Sequence, residues 1–332
     1  MNENKTGIGS LWRRLKNVDF LPLIAAYLIM CAFFAITSQY FLNFRNFMNI
    51  FLNAAIMGIL TLSTTLVLSA GKIDFSAGAV IAFGSCLIGI MTRAGISVWL
   101  AMLACLAACM MTGLYNGVMI AYVGLSPFIA TLAGMQMFRG FAYLMTNARS
   151  ITVTDDVLKF IGRNYSAGVP NAVWLLLALT VLFVYITQRT TFGRRTMVVG
   201  GNENVAFLCG INVKLHIVKL FLLHGFIVGV STIVYTGQLG AALPSAAQNL
   251  NFQSISACVL GGISLSGGKG SIVGGIIGAM MIATLNNGMT MLQLNAYWQD
   301  VVYGFVLIFA VTIDIMKNRR SAKAAIRAKG GA

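Results

Sequence analysis

Ten apolar windows, separated by short polar or glycine-rich breaks, leave this chain few ways to fold. They centre on residues 20–38, 48–69, 76–92, 97–121, 126–145, 171–188, 216–236, 253–263 with its flanks, 271–292 and 297–316. At ~1.5 Å per residue, most are long enough to cross a hydrocarbon layer ~30 Å thick. A backbone inside lipid must satisfy its own polar groups, so such windows read as helices. Composition points the same way: only 9% of residues are charged, against ~25% in soluble domains. The chain reads as an all-α polytopic membrane protein with about ten transmembrane helices. The eighth window is short and rich in Gly and Ser, and reads as a broken or re-entrant helix.

The net charge of +15 is then a matter of topology. Nucleic-acid binders cluster their Lys and Arg on one platform, whereas here the basic residues occupy short loops and both ends. Ten spans put both ends on one side. Sixteen basic residues fall on that side and five on the other, with Arg139 and Lys219 inside or at the edge of spans. Positive-inside logic places both termini and the stretch Thr190–His216 in the cytoplasm. The run from Phe20 to about Thr37 is too long for a cleaved signal core and reads as a retained first span. The expected organisation is a cytoplasmic N-terminal tail 1–19, a single transmembrane domain 20–316 with a cytoplasmic loop about 189–215, and a basic cytoplasmic tail 317–332.

Several chemistries fail on their own requirements. "GGISLSGGKGS" lacks the spacing G-x-x-x-x-G-K-[ST] of a phosphate loop, and no strand precedes it. Close helix packing through small residues accounts for it better. Cys105 and Cys109 share a helix face, but no further ligands complete a metal site. Intramembrane acids, which ion-coupled carriers use, are few: Asp74, Asp300 and Asp314. Asp74 lies two residues from Lys72 and can pair with it; Asp314 can meet the basic tail. His224, inside the seventh window, reads as a hydrogen-bonding partner of a neighbouring helix. No catalytic constellation is present, and no metal or cofactor site is expected on this chain.

A scaffold without its own energy source must borrow one, and Thr190–His216 is where a partner can push. Asn202 is a good N-cap, Glu203 suits the first turn, "ENVAFLC" can form two turns, and Gly210 can supply a left-handed stop. Val205, Phe207 and Leu208 would present an apolar tip. The competing reading is a surface helix lying on lipid headgroups, which Arg194 and Arg195 also suit. Two further segments look alike, "GKIDFSAG" at 71–78 and "GGISLSGG" at 261–268, as do "LYNG" at 114–117 and "LNNG" at 285–288. Such matches fit an internal repeat, although the spacing between them differs in the two halves.

The combination "FGRRTMVVGGNENVAFLCGINV", "GKIDFSAGA", "SPFIATLAGMQMFRG" and "CVLGGISLSGGKGSIVGGIIGAMMIATLNNGMTMLQLNAYWQDVV" resembles permease subunits of ABC importers of the ribose/allose/galactose class, over about Asn43–Asp314. The resemblance implies a ten-helix fold like that of the vitamin B12 importer (type II) permease, in a bacterial cytoplasmic (inner) membrane. It implies a second permease copy, as a homodimer or related heterodimer, and an extracytoplasmic sugar-binding protein that delivers a monosaccharide. ABC ATPase subunits would bind the ATP and Mg²⁺. Gly201, Asn202, Glu203, Val205, Ala206, Phe207, Leu208 and Gly210 then form the ATPase-coupling helix. The chain departs from the family pattern at Lys72, where Gly is usual, at Ala77 and Ala79, and at Asn251 and Gln253, which replace a Glu and an Asp.

A sugar crossing such a chain needs neutral hydrogen-bonding groups and apolar faces. Residues at span breaks that fit are Asp74, Ser76, Asn116, Asn286, Asn287 and Gln299, with Phe128 and Trp298 as stacking faces. Each Asn can equally cross-link helices. The alternative function is an ion-coupled secondary carrier for a small polar solute, separable by whether transport needs ATPase partners or an ion gradient. A third is a membrane receptor or scaffold that moves nothing. No nucleic acid is expected as a partner.

Overall fold

The computed structural model describes residues 21–295, 297–309, 311–312 and 315–316. The tails 1–19 and 317–332 and the residue Asp314 lie outside the described residues. Each apolar window coincides with a helix: α1 Leu21–Thr37, α2 Phe44–Ser69, α3 Ala77–Arg93, α4 Val98–Val118 and α5 Pro127–Thr146. A short α6, Asp156–Gly162, precedes α7, Asn171–Arg189. Next come α8 Thr191–Gly201, α9 Glu203–Leu208, α10 Val213–Leu239, α11 Leu250–Leu260, α12 Ile272–Met291 and α13 Tyr297–Phe309. Five helices, α2, α4 with its π-helical extension Met119–Val123, α7, α10 and α12, are long and apolar enough to cross a membrane. Beyond Phe309 the described residues Val311, Thr312, Ile315 and Met316 are also helical.

α2 is the hub, packing against α7, α10, α11 and α12. Of its apolar window 89% is buried, against 17% for α7, which turns Leu177, Val181 and Tyr185 outward. That gradient is what lipid solvation produces, because apolar side chains gain nothing by leaving lipid for a protein interior. Helices must then be held by close backbone approach. α4 carries Gly113 and Gly117, and α10 carries Gly225 and Gly229, each pair at the spacing G-x-x-x-G. A Cβ on Gly113 would collide with Phe221 O, and one on Gly225 with Cys109 O. The two helices therefore touch along their backbones.

Two helices start inside the bundle rather than at its ends. Asp74, in the α2–α3 connection, lies beside His224, whose Nδ1 is 2.9 Å from Ser63 Oγ. Ser63 precedes the end of α2 by six residues, or ~9 Å of helix, so the connection doubles back into the bundle before α3 begins. From the opposite end, Ala242 pairs with Ile151 in the antiparallel strands β1 (Ile151–Thr152) and β4 (Ala241–Ala242). A few residues later Ser254 on α11 already reaches Thr61 and Thr64, at 3.3 and 3.0 Å. The eighth window is thus a short helix entered through a descending turn. Arg139 on α5 explains its place in an apolar window by pinning that turn, donating to Pro244 O at 2.8 Å and Ala246 O at 2.6 Å. The two re-entrant ends meet where Asn251 Nδ2 donates to Phe75 O at 2.9 Å. At the β1–β4 end, a small hairpin of β2 (Tyr165–Ser166) and β3 (Val169–Pro170) leads into α7.

Gly225→Leu should force α4 and α10 apart and destabilise the chain by about 1–3 kcal/mol or more. Gly140→Ala, where an added Cβ meets nothing within 4 Å, should leave it unchanged. Thermal unfolding in detergent compares them; a Gly225→Leu chain as heat-stable as wild type would contradict the close approach.

Candidate functional site

Three of the sequence-selected residues form one buried polar cluster. Asp74 Oδ1 accepts from Ser76 N and Ser76 Oγ, both at 2.6 Å. Asn116 Nδ2 donates to Ser76 Oγ at 2.9 Å and lies 3.4 Å from Asp74 Oδ2. The glycine-permitted crossing puts them there: Asn116 stands between Gly113 and Gly117 on α4, and His224 precedes Gly225 on α10. His224 Nε2 faces Asp74 Oδ2 at 3.4 Å. The Ser63 hydroxyl donates to Leu60 O at 3.1 Å, and its oxygen lies 2.9 Å from His224 Nδ1. All five side chains are buried. Asp74 therefore pairs with the interior and not with Lys72.

Lys72 reaches the other way. Its Nζ lies 2.6 Å from Glu203 Oε1, the Lys side chain 12% and the Glu side chain 48% exposed. Glu203 opens α9. Asn202 caps that helix by accepting from Val205 N at 3.1 Å, and Gly210, at φ +77°, ends it in the left-handed conformation. Ala206 is fully buried beneath α9, whereas Phe207 is 70% and Leu208 83% exposed, with Val205 half exposed. α8 holds the segment from behind: Thr196 Oγ1 is 2.9 Å from His216 Nε2 on α10. In the last turn of α8, Gly200 packs so tightly that a Cβ would strike Ser69 O, and Gly268 N donates to the same carbonyl at 2.8 Å. The two look-alike glycine segments thus meet around Gly200. Gly201 packs against Gly268 and lies in open space itself.

The remaining residues lie apart. Phe128 packs edge-on to Phe75, ring centroids 5.6 Å apart, and is half exposed. Asn286 and Asn287 line a cavity toward the β1–β4 end of α2, and Asn287 Nδ2 donates to Asn46 Oδ1 at 2.8 Å. Trp298 is exposed at the start of α13, where its backbone N–H is capped by Asn295. Gln299 donates to Leu294 O at 3.2 Å. Asp300 accepts from Asn249 Nδ2 at 2.7 Å. Neither Trp298 nor Gln299 joins the Asp74 cluster. The sequence reading missed α8, although Thr190 is its N-cap, and it missed Ser63 as the partner of His224.

Asp74→Ala leaves several buried donors without an acceptor and should cost about 3–5 kcal/mol of stability, more than Asn116→Ala at about 1–3 kcal/mol. In the Asp74→Asn/His224→Gln double-mutant cycle, a coupling of about 1 kcal/mol is expected. Strict additivity of the thermal-unfolding effects would show that the two groups do not interact.

Comparison with known proteins gives the chain its relatives. The family model described as "Branched-chain amino acid transport system / permease component" matches residues 46–311. A ribose import permease protein of Bacillus subtilis (strain 168) is 37% identical, over 90% of this chain and 92% of that protein. A D-allose transport system permease protein of Escherichia coli (strain K12) is 32% identical, over 86% and 88%. The xylose transport system permease protein of the same strain is 31% identical, over 92% and 94%. No solved structure matches the chain. A multi-pass helical chain, matched over most of its length by these permeases, belongs to the permease-component family of transport systems that the matching model describes.

Proposed function

We propose that this chain is the membrane-spanning permease subunit of an ATP-driven importer for a monosaccharide, such as ribose or allose. The observation that carries the reading is α9. It is a capped helix, seated by Ala206 and the Lys72–Glu203 pair, that turns Phe207 and Leu208 away from its own protein. An apolar tip held outward by a charged strut suits a groove on a partner ATPase better than a lipid surface, because the seat fixes its direction. A cleft of about 540 Å³, lined by α9, Lys72 and the π-helical turn, leaves the helix room to move.

On this reading the chain needs no cofactor of its own; ATP and Mg²⁺ bind the ATPase subunits. α8 and α9 face the cytoplasm with both termini, the inner membrane holds ten helices in a vitamin B12-importer-like arrangement, and a second permease copy completes the pathway. An extracytoplasmic binding protein delivers the sugar. The displaced α9 pulls on Glu203 and Lys72, and Lys72 lies two residues from Asp74. Motion of the coupling helix therefore reaches the junction of α3, α4 and α10 through one short loop. Asp74, Ser76 and Asn116 serve there as a joint at the edge of the path, Phe128 flanks it, and Trp298 and Gln299 lie at its periphery.

Phe207→Asp places a charge in an apolar groove and should lower sugar uptake about tenfold or more, the loss of one apolar contact at an interface centre, with normal membrane levels. Wild-type uptake in that variant would remove α9 from coupling. Lys72→Glu and Glu203→Lys should each impair uptake, and the double exchange should restore it. Co-purification of the chain with an ATPase and an extracytoplasmic binding protein tests the assembly; uptake driven by an ion gradient without ATP would overturn it.

A further inference from the structure

Among the described residues the cavities differ in chemistry. One, at the β1–β4 end, includes Arg93 and Asp155; the cleft under α9 includes Lys72, Glu203 and Lys214; a third, beside Phe305 and Phe309, is wholly apolar. A fourth, of about 390 Å³, is different: its lining mixes polar and apolar side chains such as Leu52, Ile56 and Leu250, carries no charge, and contains six carboxamides, Asn49, Asn53, Gln238, Gln253, Asn286 and Asn287. They come from four helices, α2, α10, α11 and α12, in the half of the bundle facing the β1–β4 end. Three of the six are already used in cross-links: Gln238 Nε2 donates to Asn53 Oδ1 at 3.2 Å, and Asn287 Nδ2 to Asn46 Oδ1 at 2.8 Å. The side chains of Asn49, Gln253 and Asn286 have no protein partner among the described residues, and Asn287 Oδ1 is buried with none. Tyr235 and Met57 supply apolar surface beside them.

A carboxamide donates and accepts side by side, which matches neighbouring hydroxyls of a sugar ring, each itself donor and acceptor. Asn49 is exposed, whereas Gln253 and Asn286 are half-buried with free amides beside the buried Asn287 Oδ1. The absence of charge selects against ions and phosphorylated sugars, since neither finds a counter-charge there. The volume falls at the small end of the ~300–1,000 Å³ of ligand pockets. We propose that this cavity, within a single protomer, is a binding site for one neutral monosaccharide. Its position beneath the extracytoplasmic face rests on the importer reading; its ligand chemistry does not.

The test is saturation-transfer NMR on the detergent-solubilised full chain with D-ribose, D-xylose and D-allose, and glucose 6-phosphate as the charged comparison. Wild type should transfer saturation to at least one neutral sugar and not to the phosphate. Asn286→Leu on α12 and Asn49→Leu on α2 should each weaken it about five- to tenfold, the loss of one or two hydrogen bonds. Phe207→Asp should leave it unchanged, and gel filtration confirms that each variant is folded. No transfer from wild type, transfer that survives both amide replacements, or equal transfer to the phosphate would overturn the assignment. ATP-dependent uptake without sugar binding here would sink the cavity and spare the importer; sugar binding here with uptake independent of ATP would do the reverse.

Discussion

The backbone contact between α4 and α10 is the constraint on which the rest of the structure depends. In lipid, apolar side chains do not drive helices together, so proximity must come from small residues and interhelical hydrogen bonds. The glycines of α4 and α10 supply the first, and the side chains beside them supply the second. Asn116 and His224 reach Asp74 because the helices that carry them have no Cβ at the crossing. A larger residue there would displace both partners of the buried carboxylate at once. Packing and polar satisfaction are therefore one event in this region, and the re-entrant start of α3 is held by it.

From that centre the loop 70–76 runs in two directions. Asp74 fastens it to the bundle, and Lys72 fastens it to α9. Gly268, hydrogen-bonded to Ser69 O, adds a third anchor from the other glycine-rich turn. The α2–α3 loop is thus the shared boundary of the helix bundle and the α8–α9 segment.

Much of the architecture was legible in the sequence because the signals are local. Window length marks helices, Asn202 and Gly210 mark the ends of α9, and the Gly- and Ser-rich eighth window marks a short helix. The partners were not legible, because they join residues far apart in the chain: 131 positions between Lys72 and Glu203, and 161 between Ser63 and His224. The nearest acid to Lys72 is Asp74, and only the doubling back of the loop sends the two side chains in opposite directions. α8 was missed because Gly193, Gly200 and Gly201 depress its helical signal, although Gly200 is there for a contact with Ser69 that no local pattern announces. Asn286 and Asn287 were visible as polar residues in an apolar window; that Asn49, Asn53, Gln238 and Gln253 surround the same space depends on four helices converging.

The two helix starts that meet inside the bundle have an electrical consequence. α3 begins beside Asp74 and α11 beside Asn249, and neither has an acid in its first turn. Each helix start carries about half a positive charge from its unpaired N–H groups. Asp74 offsets one, and Asp300, which accepts from Asn249 Nδ2 at 2.7 Å at the cap of α11, lies beside the other. Interior breaks in helices are where a membrane protein risks leaking current. Here each positive helix end has a carboxylate beside it, so the partial charges of the two breaks are matched within the protein. An electrically balanced break leaves no large fixed field inside the bundle to draw ions toward it.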